Sequence, residues 1–313
     1  MRFIRRSANA RVWVAMLAVV MLVAACGSDS DDDAVERGNV VVGSTNFSEQ
    51  EIVANMYALV LEQAGYTVET RFQLGSREVV LPALENGDID VYPEYVGTLL
   101  ETLNGGAGEA TSDTDATTEL LRAQATERGI TVLNPAPAQD RNGLVVTKET
   151  AERLALAKVS DLKAHAAELV FGGPPECPER PLCLQGYERA YDMAFKEFRP
   201  LDAAGPVTWA ALDNGSIDVA LMFTSQGIIA DEGWVLLEED AELQPAENIV
   251  PVMRDSVVTD EIAEVLNALS AKLTTEAITE LNRKVDSEQA DPRDVAKAWL
   301  LEAGLLTVNA TPL

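Results

Sequence analysis

Two nine-residue stretches of this 313-residue chain nearly repeat each other. Ala83-Leu84-Glu85-Asn86-Gly87-Asp88-Ile89-Asp90-Val91 recurs as Ala211-Leu212-Asp213-Asn214-Gly215-Ser216-Ile217-Asp218-Val219, differing only at Glu85/Asp213 and Asp88/Ser216. Each copy reads as a helix end, a glycine stop and a buried strand. Gly87 and Gly215 suit the left-handed position that closes a helix. The strands would run on through Val91-Tyr92-Pro93 and through Ala220-Leu221-Met222-Phe223. Two such units, far apart in one chain, predict an α/β protein of two lobes with a cleft between them. The rival reading is coincidence of a common helix–turn–strand grammar. Clefts in open α/β sheets lie past the carboxyl ends of the strands. That rule directs attention to Tyr92–Thr98 and Phe223–Gly227.

The N-terminus points to export. Arg2, Arg5, Arg6 and Arg11 precede an uncharged apolar run from Val12 to Ala25. That order reads as a secretory signal over residues 1–25, and the run is short for a membrane span. It ends in Leu22-Val23-Ala24-Ala25-Cys26, which resembles a bacterial lipoprotein box. The resemblance implies cleavage before Cys26 and acylation there; an ordinary signal with an incidental Cys is the alternative. The Gly/Ser/Asp segment that follows cannot bury apolar surface, so residues 26–38 are expected to be a solvated tether. Cleavage would remove four of the 24 basic residues and none of the 51 acidic ones, deepening the net charge of −27. So acidic a chain is a poor match for nucleic acid or for lying on anionic lipid.

Cys177 and Cys183 flank a short Pro-rich loop. In an exported protein they read as a disulfide. A metal pair is the rival, and His165 is the only histidine available to it.

Val40–Ser44 reads as a first strand, and Ser48-Glu49-Gln50-Glu51 as a capping box with Ser48 as N-cap. A helix would follow to Gly65, then a strand over Thr67–Phe72 and a helix over Leu74–Asn86. Gly105–Thr118 reads as a loop or frayed helix start, Leu120–Arg128 as helix, and Thr131–Leu133 and Leu144–Val146 as strands. Pro135–Gly143 is the candidate first crossing between lobes and Asn248–Val252 the return. Lobe 1 is expected over residues 39–140 and 248–313, and lobe 2 over 141–247. Glu261–Leu273, Thr275–Val285 and Pro292–Ala303 read as amphipathic helices packed back on lobe 1. Two crossings suit a hinge.

Three segments together resemble the substrate-binding proteins of osmoprotectant ABC importers. They are Gly43-Ser44-Thr45-Asn46-Phe47-Ser48-Glu49-Gln50, Asn86–Thr98 with its Tyr-Pro-Glu-Tyr-x-Gly-Thr, and the loop from Phe171-Gly172. The resemblance spans roughly residues 38–305. It implies a type II periplasmic-binding fold whose lobes close on glycine betaine, choline, carnitine or proline betaine. It also implies a lipid-anchored monomer outside the cytoplasm that docks on ABC permease subunits, with no cofactor, metal or catalytic residue. A quaternary ammonium has no N–H, so it is held by aromatic faces, and a betaine carboxylate needs a cation or N–H groups.

Carried onto this sequence, the resemblance nominates Tyr95 for the cage and Thr98, Asn46 and Gln50 as polar contacts. Arg180, in the cysteine loop, becomes a carboxylate partner. The chain departs from the family at Asn142, Phe223 and Glu247, where tyrosines are common. It departs again at Thr45, where lysine is frequent, and at Arg77, where a smaller residue is usual. The site is therefore expected to be thinner in aromatics and more polar. Asp140, Asn142 and Glu247 lie near the hinge, Trp209 is a possible aromatic helper, and Thr224 follows Phe223. Each nomination has a plainer reading. Tyr95, Phe223 and Trp209 could be packing, Arg77 and Arg180 salt bridges, Asp140 and Asn142 turn residues. A ligand rich in N–H or O–H groups is the alternative within the importer role. An enzyme on the same scaffold is the remote one, since no Gly-x-Ser-x-Gly, Walker loop or second histidine is present.

Overall fold

A computed structural model describes residues 37–307. The expected secretory signal, Cys26 and the tether as far as Glu36 lie outside the described residues, as do residues 308–313. In chain order the strands are β1 (Arg37–Gly43), β2 (Tyr66–Arg71), β3 (Val91–Tyr95), β4 (Ile130–Val132), β5 (Asn142–Val146), β6 (Val170–Gly173), β7 (Glu197–Pro200), β8 (Val219–Phe223), β9 (Val235–Leu236) and β10 (Ile249–Arg254). The helices are α1 (Ser48–Gln63), α2 (Arg77–Asn86), α3 (Val96–Leu103), α4 (Thr114–Thr126), α5 (Lys148–Leu154), α6 (Leu184–Tyr191), α7 (Pro206–Asp213), α8 (Ile228–Asp231), α9 (Asp260–Ser270), α10 (Thr275–Asp286) and α11 (Pro292–Glu302). β1 begins at Arg37 and so takes in the last two residues of the expected tether, Arg37 and Gly38.

The strands form two five-stranded sheets of matching order, β2-β1-β3-β10-β4 and β7-β6-β8-β5-β9. In each, four strands run parallel and the fourth in this order runs against them. That antiparallel strand is the one that has just crossed from the other lobe: β10 in the first sheet, β5 in the second. The chain therefore visits lobe 1, lobe 2 and lobe 1 again.

The repeated nonapeptide holds the same place in both lobes. Gly87 (φ 81°) and Gly215 (φ 71°) are left-handed after α2 and α7. Asp90 donates its N–H to the Val41 carbonyl (2.7 Å), and its carboxylate accepts the Val41 N–H (2.8 Å). Asp218 repeats both bonds with Val170, at 2.9 and 2.8 Å. Ile89 and Ile217 lie so close to Gly43 and Gly172 that a Cβ there would meet them at 2.5 and 2.6 Å. Sequence identity at these positions thus follows from shared geometry: a carboxylate clasping the neighbouring strand, and an isoleucine seated on its glycine.

Helices cover both faces of the first sheet. α1 is buried almost throughout, between the sheet and α9, α10 and α11. α2, α3 and α4 form the other apolar layer. In lobe 2, α5 and α6 pack on one face and α7 and α8 on the other. Asp113, Thr147, Thr259, Thr274 and Asp291 cap their helices with side-chain oxygens, supplying acceptors to otherwise orphaned N–H groups.

Several local expectations fail for physical reasons. Ser48 is the first residue of α1 and not its cap; its hydroxyl donates to Asp286 (2.5 Å), and Glu51 accepts from Gln73 instead of reaching back. The helix expected from Leu74 starts at Arg77, because Gln73 (φ 54°) and Gly75 (φ 128°) take left-handed backbone. Within Gly105–Thr118 the helix start is the alternative that holds for the last residues: α4 begins at Thr114, because Asp113 caps it by accepting the Ala116 N–H. At the lobe junction the two crossings run side by side. Gln139 and Asn248 form an isolated antiparallel bridge, and the Asp140 N–H donates to the Glu247 carbonyl (3.0 Å).

Candidate functional site

The carboxyl ends of β1, β3 and β8 and the start of β5 converge on a cleft between the lobes. It has two adjoining chambers that share Phe47, Arg77, Tyr95, Asn142, Arg180 and Phe223. The larger holds about 610 Å³ counting its open mouth, and its other walls include Thr98, Glu101, Asp140, Leu182 and Glu247. The smaller adds Thr45, Asn46, Gln50 and Glu94. Such a volume suits a small solute.

Of the twelve residues nominated from sequence, ten line these chambers: Asn46, Gln50, Arg77, Tyr95, Thr98, Asp140, Asn142, Arg180, Phe223 and Glu247. Two do not. Trp209 lies on α7 and packs against the core of lobe 2. Thr224 faces a separate hollow behind the crossing, where its hydroxyl accepts the Arg141 N–H (2.9 Å). Trp209 turns from α7 into the apolar core of lobe 2, and Thr224 turns back to tie the hinge.

Phe47 was missed and is central. Its ring lies 4.7 Å from that of Phe223 and 6.4 Å from that of Tyr95. A usable signal existed, since Phe47 follows the first strand in the very motif that carried the family resemblance. Phe47, Tyr95 and Phe223 together form an aromatic wall from both lobes.

The two arginines are already engaged. Arg77 is buried and grips Glu94 with two bonds, at 2.6 and 2.7 Å. Arg180, held in the loop that the Cys177–Cys183 disulfide closes, reaches across the mouth to Glu78 of α2 at 2.9 and 3.1 Å. Glu176 of the smaller chamber also pairs with Arg180 (3.4 Å), whereas two acids of the larger chamber have no such partner among the described residues. Glu247 is buried, with its oxygens on the Thr98 N–H (3.1 Å) and hydroxyl (2.5 Å). Burial pushes its carboxyl up to about 7, against the Thr98 hydrogen bonds and the field of Arg77. Asp140 accepts the Ser225 N–H (3.0 Å), and burial with the neighbouring Glu49 raises its carboxyl well above the usual range. Neither forms an ion pair among the described residues. Burial thus favours the neutral form of both carboxyls in the empty cleft, and a cation placed beside them and the aromatic faces would favour the ionised form.

Two polar atoms of the smaller chamber, Gln50 Oε1 and Thr45 Oγ1, have no hydrogen-bond partner among the described residues. Buried polar groups are normally satisfied. This chamber thus has capacity for a ligand donor.

The comparison with known proteins settles the family. The profile for the substrate-binding domain of ABC-type glycine betaine transport systems matches residues 38–302. The chain belongs to that family. It is 27% identical to the glycine betaine-binding protein YehZ of Escherichia coli K12, over 85% of this chain and 90% of that one. It is 29% identical to a glycine-betaine-binding protein of Pseudomonas aeruginosa, over 85% and 88%. A solved structure described as a glycine betaine/carnitine/choline ABC transporter superposes with a TM-score of 0.67 at 24% identity, covering 86% of this chain and 99% of that one. The two-lobe binding-protein fold is thereby shown, and with it the role of an extracytoplasmic solute-binding component of an ABC importer. No helix among the described residues is long and apolar enough to cross a membrane.

Proposed function

We propose that this binding protein captures a small quaternary ammonium solute, of the choline, carnitine or betaine kind, between its closing lobes and delivers it to permease subunits. The observation that carries the reading is the wall of Phe47, Tyr95 and Phe223 beside two buried carboxylates without cations. The aromatic faces and Glu247 hold the ammonium head. A ligand carboxylate, where present, draws Arg180 from Glu78; both groups are partly exposed, so that exchange is cheap. Relatives that bind glycine betaine support the same class. In this reading the protein is not an enzyme; it works as a monomer, tethered by lipid at Cys26. Ligand raises its melting temperature by mass action. Thermal shift with choline, carnitine and glycine betaine tests the class. Stabilisation by none of them, together with stabilisation by a solute lacking a quaternary nitrogen, would overturn it.

A second reading is favoured by Gln50 Oε1 and Thr45 Oγ1, which await a donor. A solute that adds an O–H or N–H to its cation satisfies both chambers. Choline outcompeting its O-methyl ether would support that; equal binding would remove it.

A further inference from the structure

One carboxylate stands where the lobes meet yet lines neither chamber of the cleft. Glu49, in the first turn of α1, is buried and has no ion-pair partner among the described residues. Its two oxygens face different tasks. Oε1 accepts the Tyr95 hydroxyl at 2.7 Å, and the Tyr95 ring lines both chambers. Oε2 accepts the Ser225 hydroxyl at 2.5 Å and the Asn282 amide at 2.7 Å. Tyr95 and Asn282 belong to lobe 1, whereas Ser225 follows β8 in lobe 2. Ser225 is fully enclosed there: its N–H donates to Asp140 (3.0 Å), and its carbonyl accepts from Asn282 (3.2 Å).

A buried carboxylate without a cation is costly unless donors surround it. Glu49 has three donors, and one of them arrives only with lobe 2. When the lobes part, Ser225 leaves and water must replace it. When they close, Ser225 completes the shell. A ligand pressed on the Tyr95 ring fixes the hydroxyl over Oε1 and leaves Oε2 for Ser225 and Asn282. We propose that Glu49 is a positioning residue that ties ligand contact at Tyr95 to lobe closure at Ser225. This rests on Tyr95 being a ligand-facing wall and extends it, because Glu49 itself touches no ligand.

The test is a double-mutant cycle on the purified protein, read by calorimetric titration of choline and glycine betaine and by the small-angle scattering radius of gyration. Tyr95→Phe keeps the ring and removes the hydroxyl; Ser225→Ala removes the cross-lobe donor. Ser225→Ala should weaken binding about tenfold, the scale of a lost charge-assisted hydrogen bond, and enlarge the liganded particle. Ser225→Thr, which returns the hydroxyl, should recover most of both. Tyr95→Phe and Ser225→Ala should be non-additive, and should become additive in a Glu49→Gln background. Additivity with Glu49 present, or scattering curves of Ser225→Ala that match wild type with and without ligand, overturns the proposal. Should neither solute nor carnitine bind wild type, while a solute lacking a quaternary nitrogen does, the quaternary-ammonium reading fails by itself. The ligand-free scattering comparison then decides: expansion in Ser225→Ala supports the latch, and no change overturns it.

Discussion

Replacing Glu247 by Gln should stabilise the ligand-free protein and weaken its hold on a cation. Burial raises the Glu247 carboxyl from 4.5 to about 7. That shift of ~2.5 units corresponds to about 3 kcal/mol. The folded protein holds this proton more tightly than the unfolded chain, so the cost of Glu247 is absent below the unfolded value. It grows as pH rises from 4.5 to about 7 and is constant above. Glutamine stays neutral, accepts the Thr98 N–H and donates to the Thr98 hydroxyl turned as acceptor. The variant should thus gain up to about 3 kcal/mol at pH 8 and nothing near pH 4. Urea unfolding at several pH values reads this directly. Choline affinity should move the other way. A cation in the chamber favours the ionised carboxylate, so wild-type affinity rises with pH through the region of 7, and the variant's rise is smaller. A variant less stable than wild type at pH 8, or one with an unchanged affinity profile, would refute the reasoning.

Other outcomes follow from single contacts. Phe47→Ala should weaken quaternary ammonium binding by about 1–2 kcal/mol, the scale of a partly desolvated cation–π contact, as measured by calorimetry. Arg180→Gln should weaken glycine betaine while leaving choline nearly unchanged, because only the betaine has a carboxylate to pair with it; equal losses would place Arg180 outside ligand binding. Replacing Cys177 and Cys183 together by Ala should cost about 2 kcal/mol in denaturant unfolding, the chain-entropy scale for a short loop, and should loosen the Arg180–Glu78 contact. Asp218→Ala should cost about 1–3 kcal/mol by stranding the Val170 N–H. Asp90→Ala should cost more, since Asp90 also binds Arg254.

The architecture was legible because the repeat encodes paired strands and glycine stops, which local sequence specifies. Gly87 and Gly215 and the three C-terminal helices all follow from patterns of a few residues. What escaped depends on distant partners. Ser48 looks like a cap but bonds Asp286, and Glu49 looks like a helix-start acid but binds Tyr95, Ser225 and Asn282. Nothing within ten residues of either announces those partners. Arg77 was read as ligand-facing, and its guanidinium does line the cleft, yet Glu94 occupies its fork. Phe47 was visible in the motif but was passed over, because residue type alone does not say which aromatic faces a cleft.

The most direct measurement is calorimetric titration of choline, carnitine and glycine betaine at pH 8 into wild type and Phe47→Ala. The account predicts saturable one-site binding of at least one of the three to wild type, sharply weakened in the variant. Absence of binding by all three, or equal binding by both proteins, would contradict a quaternary ammonium held against the Phe47–Tyr95–Phe223 wall.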